Sequence, residues 1–270
     1  MPEGHVIHRL ARDLNARFAG RPLSVTSPQG RFAAEASLLD GHELARAEAW
    51  GKHLFVEFDV PRPDAIVHIH LGLIGRLRFE GPDDVGGQVR LHVSNGEESA
   101  NLRGPQWCRL VTDEVRAAAI GKVGEDPLRA DADPGAIVGR VRRSRRPIGA
   151  LLVDQKLYAG VGSIYRTETL FRLGIHPLTP GAELKPATLD AMWVDLRELM
   201  EDGVRVGRID TVRPEHTPEA MGREPREDDH GGEVYVYRRT GQPCHVCGTP
   251  VAETQIEGRR VFYCPSCQAS

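Results

Sequence analysis

Four of the five cysteines fall within the last 27 residues, as CHVC at 244–247 and CPSC at 264–267 with sixteen residues between the pairs. Two tight C-x2-C knuckles on either side of a loop match the template for tetrahedral zinc, so Cys244, Cys247, Cys264 and Cys267 are expected to hold one ion. Four thiolates leave no open coordination position, which makes the site structural. So short a segment cannot bury a core of its own, and metal replaces packing as its source of stability. The intervening residues alternate as a β-hairpin turning at Glu257-Gly258, which leaves Arg259 and Arg260 at its tip. His245, inside the first knuckle, reads as a solvated spacer, and the remote Cys108 as a core thiol.

The opposite end of the chain reads MPEGHVIHRL. Charge interrupts it from the third residue, so it is not a secretory signal, which needs an apolar run of ~7 to 15 residues. No apolar run approaches the ~18 residues of a membrane span. Clustered cysteines suit a metal site in a reducing compartment better than a disulfide framework. A net charge of -3 does not itself suggest a polyanion as partner, but charge is uneven. RVRRSRR at 140–146 carries five arginines, while acid gathers at Glu125, Asp126 and in the REDD stretch of 226–229. A local basic stripe outweighs the whole-chain sum where nucleic acid is concerned.

The elements that must position these residues follow from periodicity. Val6, Leu10, Leu14 and Phe18 form one stripe of a helix over 3–19, with Gly20 as its stop. Period-two alternation then marks strands at 52–58, 65–71, 75–79 and 88–93. From Asp131 the pattern turns helical, and Leu189, Met192, Trp193, Leu196, Leu199 and Met200 share a face opened by Thr188 as N-cap. Residues 203–232, rich in Gly, Pro and charge, read as a long loop. The expected organisation is a β-rich domain over 1–115, a linker over 116–130, a helical domain over 131–232 and a zinc finger over 233–270.

Three separated motifs, MPEG, ALLVDQKLYAGVGSIY at 150–165 and the GRRVFYCPSCQ finger, together resemble the formamidopyrimidine-DNA glycosylase and endonuclease VIII family of base-excision repair enzymes. The resemblance spans nearly the whole chain in order. It implies an α+β multi-domain fold: an N-terminal two-sheet β-sandwich with flanking helices, a helix-two-turn-helix domain and a C-terminal zinc-finger β-hairpin. It also implies a bifunctional DNA glycosylase and abasic-site lyase. With Met1 removed, Pro2 has a secondary amine that titrates near the ~8 of a chain terminus and can attack C1′ of the damaged nucleotide. Glu3 transfers protons, and Lys52 grips phosphate and assists the chemistry. Arg259 clasps the phosphates around an extruded nucleotide, and Gly160, Gly162 and Ser163 bring a helix N-terminus to the backbone. Leu73, with Leu71 as a second candidate, fills the space left by the base.

Departures from the family pattern bear on substrate. MPEG with His5 and Val6 is closer to the endonuclease VIII branch. Ser163 stands where the family usually has Asn, a shorter group that can still cap a helix. NLRGPQWC at 101–108 lacks the Arg-x-Phe-Gly inserted by the purine branch, leaving Arg103, or Trp107 as a stacking ring, to substitute. The 203–232 loop does not resemble a cap for an oxidised purine. Oxidised pyrimidines are therefore expected ahead of purines, in a monomeric, cytosolic, nucleoid-associated enzyme acting on damaged DNA. The alternatives are a non-catalytic DNA-binding paralogue, or a protein that is only an abasic-site lyase. A binder has no chemical need for Pro2, Glu3 and Lys52 together.

Overall fold

A computed structural model describes residues 2–227 and 232–269, in two units, 1–122 and 123–270. Met1, and Asp228 and Asp229 of the acidic stretch, lie outside the described residues.

The first unit opens with α1 (Gly4–Phe18). Its buried face is Ile7, Leu10, Ala11, Leu14 and Phe18, so the expected stripe is right for three residues but is centred on Ile7, with Val6 at its edge. Eight strands follow: β1 (Ser24–Thr26), β2 (Glu43–Trp50), β3 (His53–Asp59), β4 (Asp64–His70), β5 (Arg76–Glu80), β6 (Val89–Ser94), β7 (Ser99–Arg103) and β8 (Trp107–Thr112). They form two four-stranded antiparallel sheets ordered β2-β3-β4-β8 and β1-β6-β7-β5. Leu54, Val56, Val67 and Ile69 of the first sheet and Leu91, Val93, Ala100 and Leu102 of the second share one core with α1. The opposite face of the first sheet is also covered. Phe55, Ile66 and Val111 pack there with Ala119 and Ile120 of α3 (Asp113–Ile120), and short α2 (Ala33–Ser37) closes against β1.

The second unit is helical, with α4 (Pro134–Arg142), α5 (Ile148–Leu151), α6 (Ser163–Arg172), α7 (Pro186–Val206) and α8 (Pro218–Met221), then the hairpin β9 (Ala252–Ile256) and β10 (Arg259–Tyr263). The predicted face of α7 is buried, but Lys185, not Thr188, is its N-cap. Pro186 takes the first helical position, where a fixed φ is preorganised and no amide is wasted, and this displaces the Thr188 start. At the far end α7 runs into the segment expected as loop and stops at Gly207, whose φ of 87° suits glycine. A 3-10 turn at Pro214–His216 and α8 structure part of the remainder. No described helix is long and apolar enough to cross a membrane.

Candidate active site and nucleic-acid interface

Glu3 is the N-cap residue of α1, with extended backbone, and its carbonyl accepts the Val6 amide at 3.0 Å. Its side chain does not cap the helix and is 1 % exposed. Pro2, half-buried, precedes it directly. A carboxylate at a helix start has the helix dipole in its favour. α1 is locked to β2 by a reciprocal pair, in which Asn15 Nδ2 donates to the Ala47 carbonyl at 2.8 Å and the Ala47 amide donates to Asn15 Oδ1 at 2.7 Å.

Lys52 sits with Gly51 in the two-residue turn between β2 and β3, closed by the Trp50–His53 pair. Gly51 has a φ of 57°, which explains a glycine here. Beside this turn lies a cluster that sequence reasoning missed. His53, His68 and His70, with Trp107 and Phe55, line the end of the sheet face turned away from the sandwich core. His53 Nδ1 lies 2.9 Å from His68 Nε2, and the Gly72 amide donates to His70 Nδ1 at 3.1 Å. Burial, and then the charge of His70, lowers His53 to about 4; burial, and then the charges of His53, His70 and Arg109, lowers His68 to about 3. His70 is lowered by burial and then by the neighbouring Lys52 charge. Lys52 beside His70, and Arg109 with its guanidinium 5.6 Å from the Trp107 ring centroid, are cations next to this cluster. The signal available was the HIH alternation in β4 opposite His53, which reads equally as ordinary strand periodicity.

Leu73 and Ile74 protrude from the turn after β4, 69 % and 80 % exposed. Leu71, the second wedge candidate, is 3 % exposed and belongs to the sandwich core. Arg103 is engaged within the protein: its guanidinium pairs with Glu80 at 2.7 Å and donates to the Gly86 carbonyl at 3.0 Å. Trp107 packs against His70 with ring centroids 4.5 Å apart and planes tilted by 31°. Cys108 is buried, and desolvation pushes its thiol up to about 12, so it is inert.

In the second unit the glycine turn lies between α5 and α6. Gly160 has a φ of 86°, and its amide donates to Gln155 Oε1 at 3.0 Å, while Gln155 Nε2 donates to the Val161 carbonyl at 2.8 Å. Gly162 is the N-cap of α6, and Ser163 is its first helical residue, so Ser163 does not act as the cap. The N-terminus of α6 is thus capped by a residue without a side chain. Of the RVRRSRR run, Arg140, Arg142, Arg143 and Arg145 are exposed around the C-terminus of α4, a solvated basic stripe.

Cys244, Cys247, Cys264 and Cys267 bring all four sulfurs within 4.8 Å of one another. The Cys244–Cys267 and Cys247–Cys264 separations are 3.9 and 3.4 Å, too long for disulfides and close to the ~3.8 Å edge of a tetrahedron with zinc–sulfur bonds of ~2.3 Å. Amides of Val246 and Cys267 point at the sulfurs of Cys244 and Cys264, each at 3.5 Å. His245 is half-buried beside Arg239 rather than solvated, and is not among the grouped ligands. The donor set therefore fits one structural zinc. Glu257 and Gly258, at φ 48° and 74°, make the predicted hairpin turn. Arg259 follows it, exposed, its side chain with no hydrogen bond or ion pair among the described residues, whereas Arg260 pairs with Glu253.

Behind the finger, buried Glu168 of α6 accepts the amides of Tyr235, Val236 and Tyr237 at 2.6, 3.0 and 2.8 Å, and the Thr211 hydroxyl at 2.6 Å. This carboxylate fixes the segment that leads into the metal site.

The Formamidopyrimidine-DNA glycosylase N-terminal domain matches residues 1–103, its H2TH domain matches 123–214, and the Zinc finger found in FPG and IleRS matches 241–269. "Endonuclease 8 1" of Mycobacterium tuberculosis (strain ATCC 25618 / H37Rv) is 48% identical over 277 residues, covering 99% of this chain and 100% of the relative. "Formamidopyrimidine-DNA glycosylase" of Aromatoleum aromaticum is 31% identical over 280 residues, with 99% of each chain covered. In fold, the chain is similar to the Lactococcus lactis Fpg in complex with abasic site containing DNA, at a TM-score of 0.79 and 23% identity, over 99% of this chain and 100% of that one. The same protein bound to an oxidized pyrimidine containing DNA aligns at 0.79 and 21% identity over 100% of both chains.

Proposed function

The chain belongs to the formamidopyrimidine-DNA glycosylase and endonuclease VIII family, base-excision DNA glycosylases with abasic-site lyase activity, and from that premise we propose that it removes oxidised bases, pyrimidines ahead of purines, through Pro2. After loss of Met1, the Pro2 nitrogen attacks C1′ of an extruded nucleotide, and the bond from C1′ to the base breaks. Glu3 protonates the sugar ring oxygen or the departing base. Because the amine is secondary, opening the ring gives an iminium with a permanent positive charge. That charge acidifies the C2′ proton, and its removal expels the 3′ phosphate and cuts the strand.

Lys52 and Arg259 hold phosphates, the Gly160–Ser163 segment adds amides at the α6 N-terminus, and Leu73 occupies the gap in the base stack. Arg103, held by Glu80 and the Gly86 carbonyl, takes no part unless that pair opens. Zinc supplies no chemistry at the sugar; it shapes the finger that carries Arg259. Damaged DNA is the partner.

The observation that carries this reading is Glu3, buried directly after Pro2 and not used to cap its own helix. A carboxylate present for helix stability alone would have capped an amide. Single-turnover assays on duplexes carrying thymine glycol, 8-oxoguanine or an abasic site test it. Faster excision of thymine glycol supports the pyrimidine preference; cleavage of the abasic site alone reduces the protein to a lyase, and binding without any cleavage to a non-catalytic paralogue.

A further inference from the structure

The hairpin turn that carries Arg259 is tied to the body of the second unit at two points. From inside, Arg166, fully buried on α6, donates Nη2 to the Arg260 carbonyl at 2.8 Å and Nη1 to the Gly149 carbonyl at 3.2 Å. From the surface, Arg146 donates Nε and Nη2 to the two carboxylate oxygens of Glu257 at 2.9 and 2.8 Å, and Nη1 to Asp154 Oδ2 at 2.9 Å. Glu257 is the first residue of the hairpin turn, two before Arg259. Asp154 opens the turn that leads to Gly160: its Oδ1 accepts the Lys156 amide at 3.1 Å, and its carbonyl accepts those of Leu157 and Tyr158.

These groups line a cleft of about 290 Å³ together with Gln155, which holds the glycine turn, and Arg259 itself. Glu257 is drawn below the usual carboxylate range by its bond to Arg146. Asp154 is lowered too: burial would raise it, but Arg146 and the Lys156 amide outweigh burial.

A lone surface ion pair adds little to stability. A forked guanidinium shared by two carboxylates on different turns does something else, because its planar geometry fixes direction. Arg146 also differs from the rest of its run. Arg140, Arg142, Arg143 and Arg145 have no ion pair among the described residues, and so are available to phosphate. Arg146 is neutralised twice over, by Glu257 and by Asp154.

Resting on the glycosylase reading, we propose that Arg146 is a positioning residue: by holding Glu257 and Asp154 at once it sets the hairpin turn against the glycine-containing turn, so that Arg259 and the amides near Gly160–Ser163 meet the DNA backbone as one site.

The zinc-loaded full chain and a duplex carrying a tetrahydrofuran abasic analogue, at fixed salt, test this by equilibrium binding. Arg146→Gln is expected to weaken binding roughly tenfold, and to add nothing further in an Arg259→Gln background, since coupled residues are not additive. Glu257→Gln is expected to weaken binding as well, although it removes a negative charge facing DNA. Tighter binding by Glu257→Gln, with Arg146→Gln and Arg259→Gln additive, makes Arg146 a phosphate ligand and overturns the proposal. Unchanged binding by Arg146→Gln with a lower melting temperature leaves it a merely structural role and also overturns it. Wild-type protein that does not prefer the abasic duplex to an undamaged one overturns the glycosylase reading and this proposal together, whereas normal wild-type preference confines any failure to Arg146.

Discussion

Pro2 and Glu3 differ from Arg259 and Leu73 in how their surroundings support them. Glu3 is buried, Leu73 and Arg259 are exposed, so replacing the first carries a structural risk that replacing the others does not. Glu3→Gln keeps size and burial while removing the ionisable carboxyl; it is expected to slow base excision by about 10²-fold or more while an abasic site is still cut, as general acid–base groups contribute ~10²–10⁴. Excision and lyase rates measured on matched duplexes check this. Leu73→Ala should leave the melting temperature unchanged, since the side chain is 69 % exposed, and reduce excision from paired duplex more than from single strands, where no stack has to be refilled. At this scale the sequence was readable wherever a residue sits in a spaced motif, as with the four cysteines and Glu257-Gly258. It was silent on His53, His68 and His70, because their clustering comes from strand register, and on Leu71 against Leu73, because the turn after β4 decides which leucine faces inward.

α1 and α7 were legible from their apolar stripes, and β3 to β6 from alternation, but β2 and β7 were not. β2 reads ELARAEAW, whose small alanines give little period-two contrast, and β7 is so fully buried that it shows no alternation. α7 outran its sequence limits because Pro186 opens it earlier, and it continues through buried Gly203 to Val206 before Gly207 stops it. The element most dependent on one residue is the lead into the finger, where Glu168 accepts three amides and a hydroxyl. Glu168→Gln turns a pure acceptor into a group with a donating end facing those amides. A loss of ~1.5–3 kcal/mol is expected, the usual worth of hydrogen bonds to a charged group, read by denaturant unfolding with zinc bound.

The whole molecule divides its stability among a sandwich core, a separate apolar core in the helical unit and a metal site. Sandwich stability should depend on pH through the buried histidines. In the unfolded chain they take up protons near ~6.5, but the folded His53 resists until about 4 and His68 until about 3. Stability is therefore full above the unfolded value and is lost as pH falls from there through the folded ones, and melting scans from pH 7.5 to 4 should show a falling midpoint that His68→Phe flattens. Stripping zinc with a chelator is expected to abolish DNA binding, because the hairpin bearing Arg259 loses its source of order. The central claim concerns neither core nor metal but the bond that Pro2 forms with a sugar carbon. Borohydride reduction during turnover on thymine glycol duplex, followed by peptide mass spectrometry, measures it directly: the account predicts the reduced sugar on Pro2 at the chain start, and an adduct on Lys52 or any other residue would contradict it.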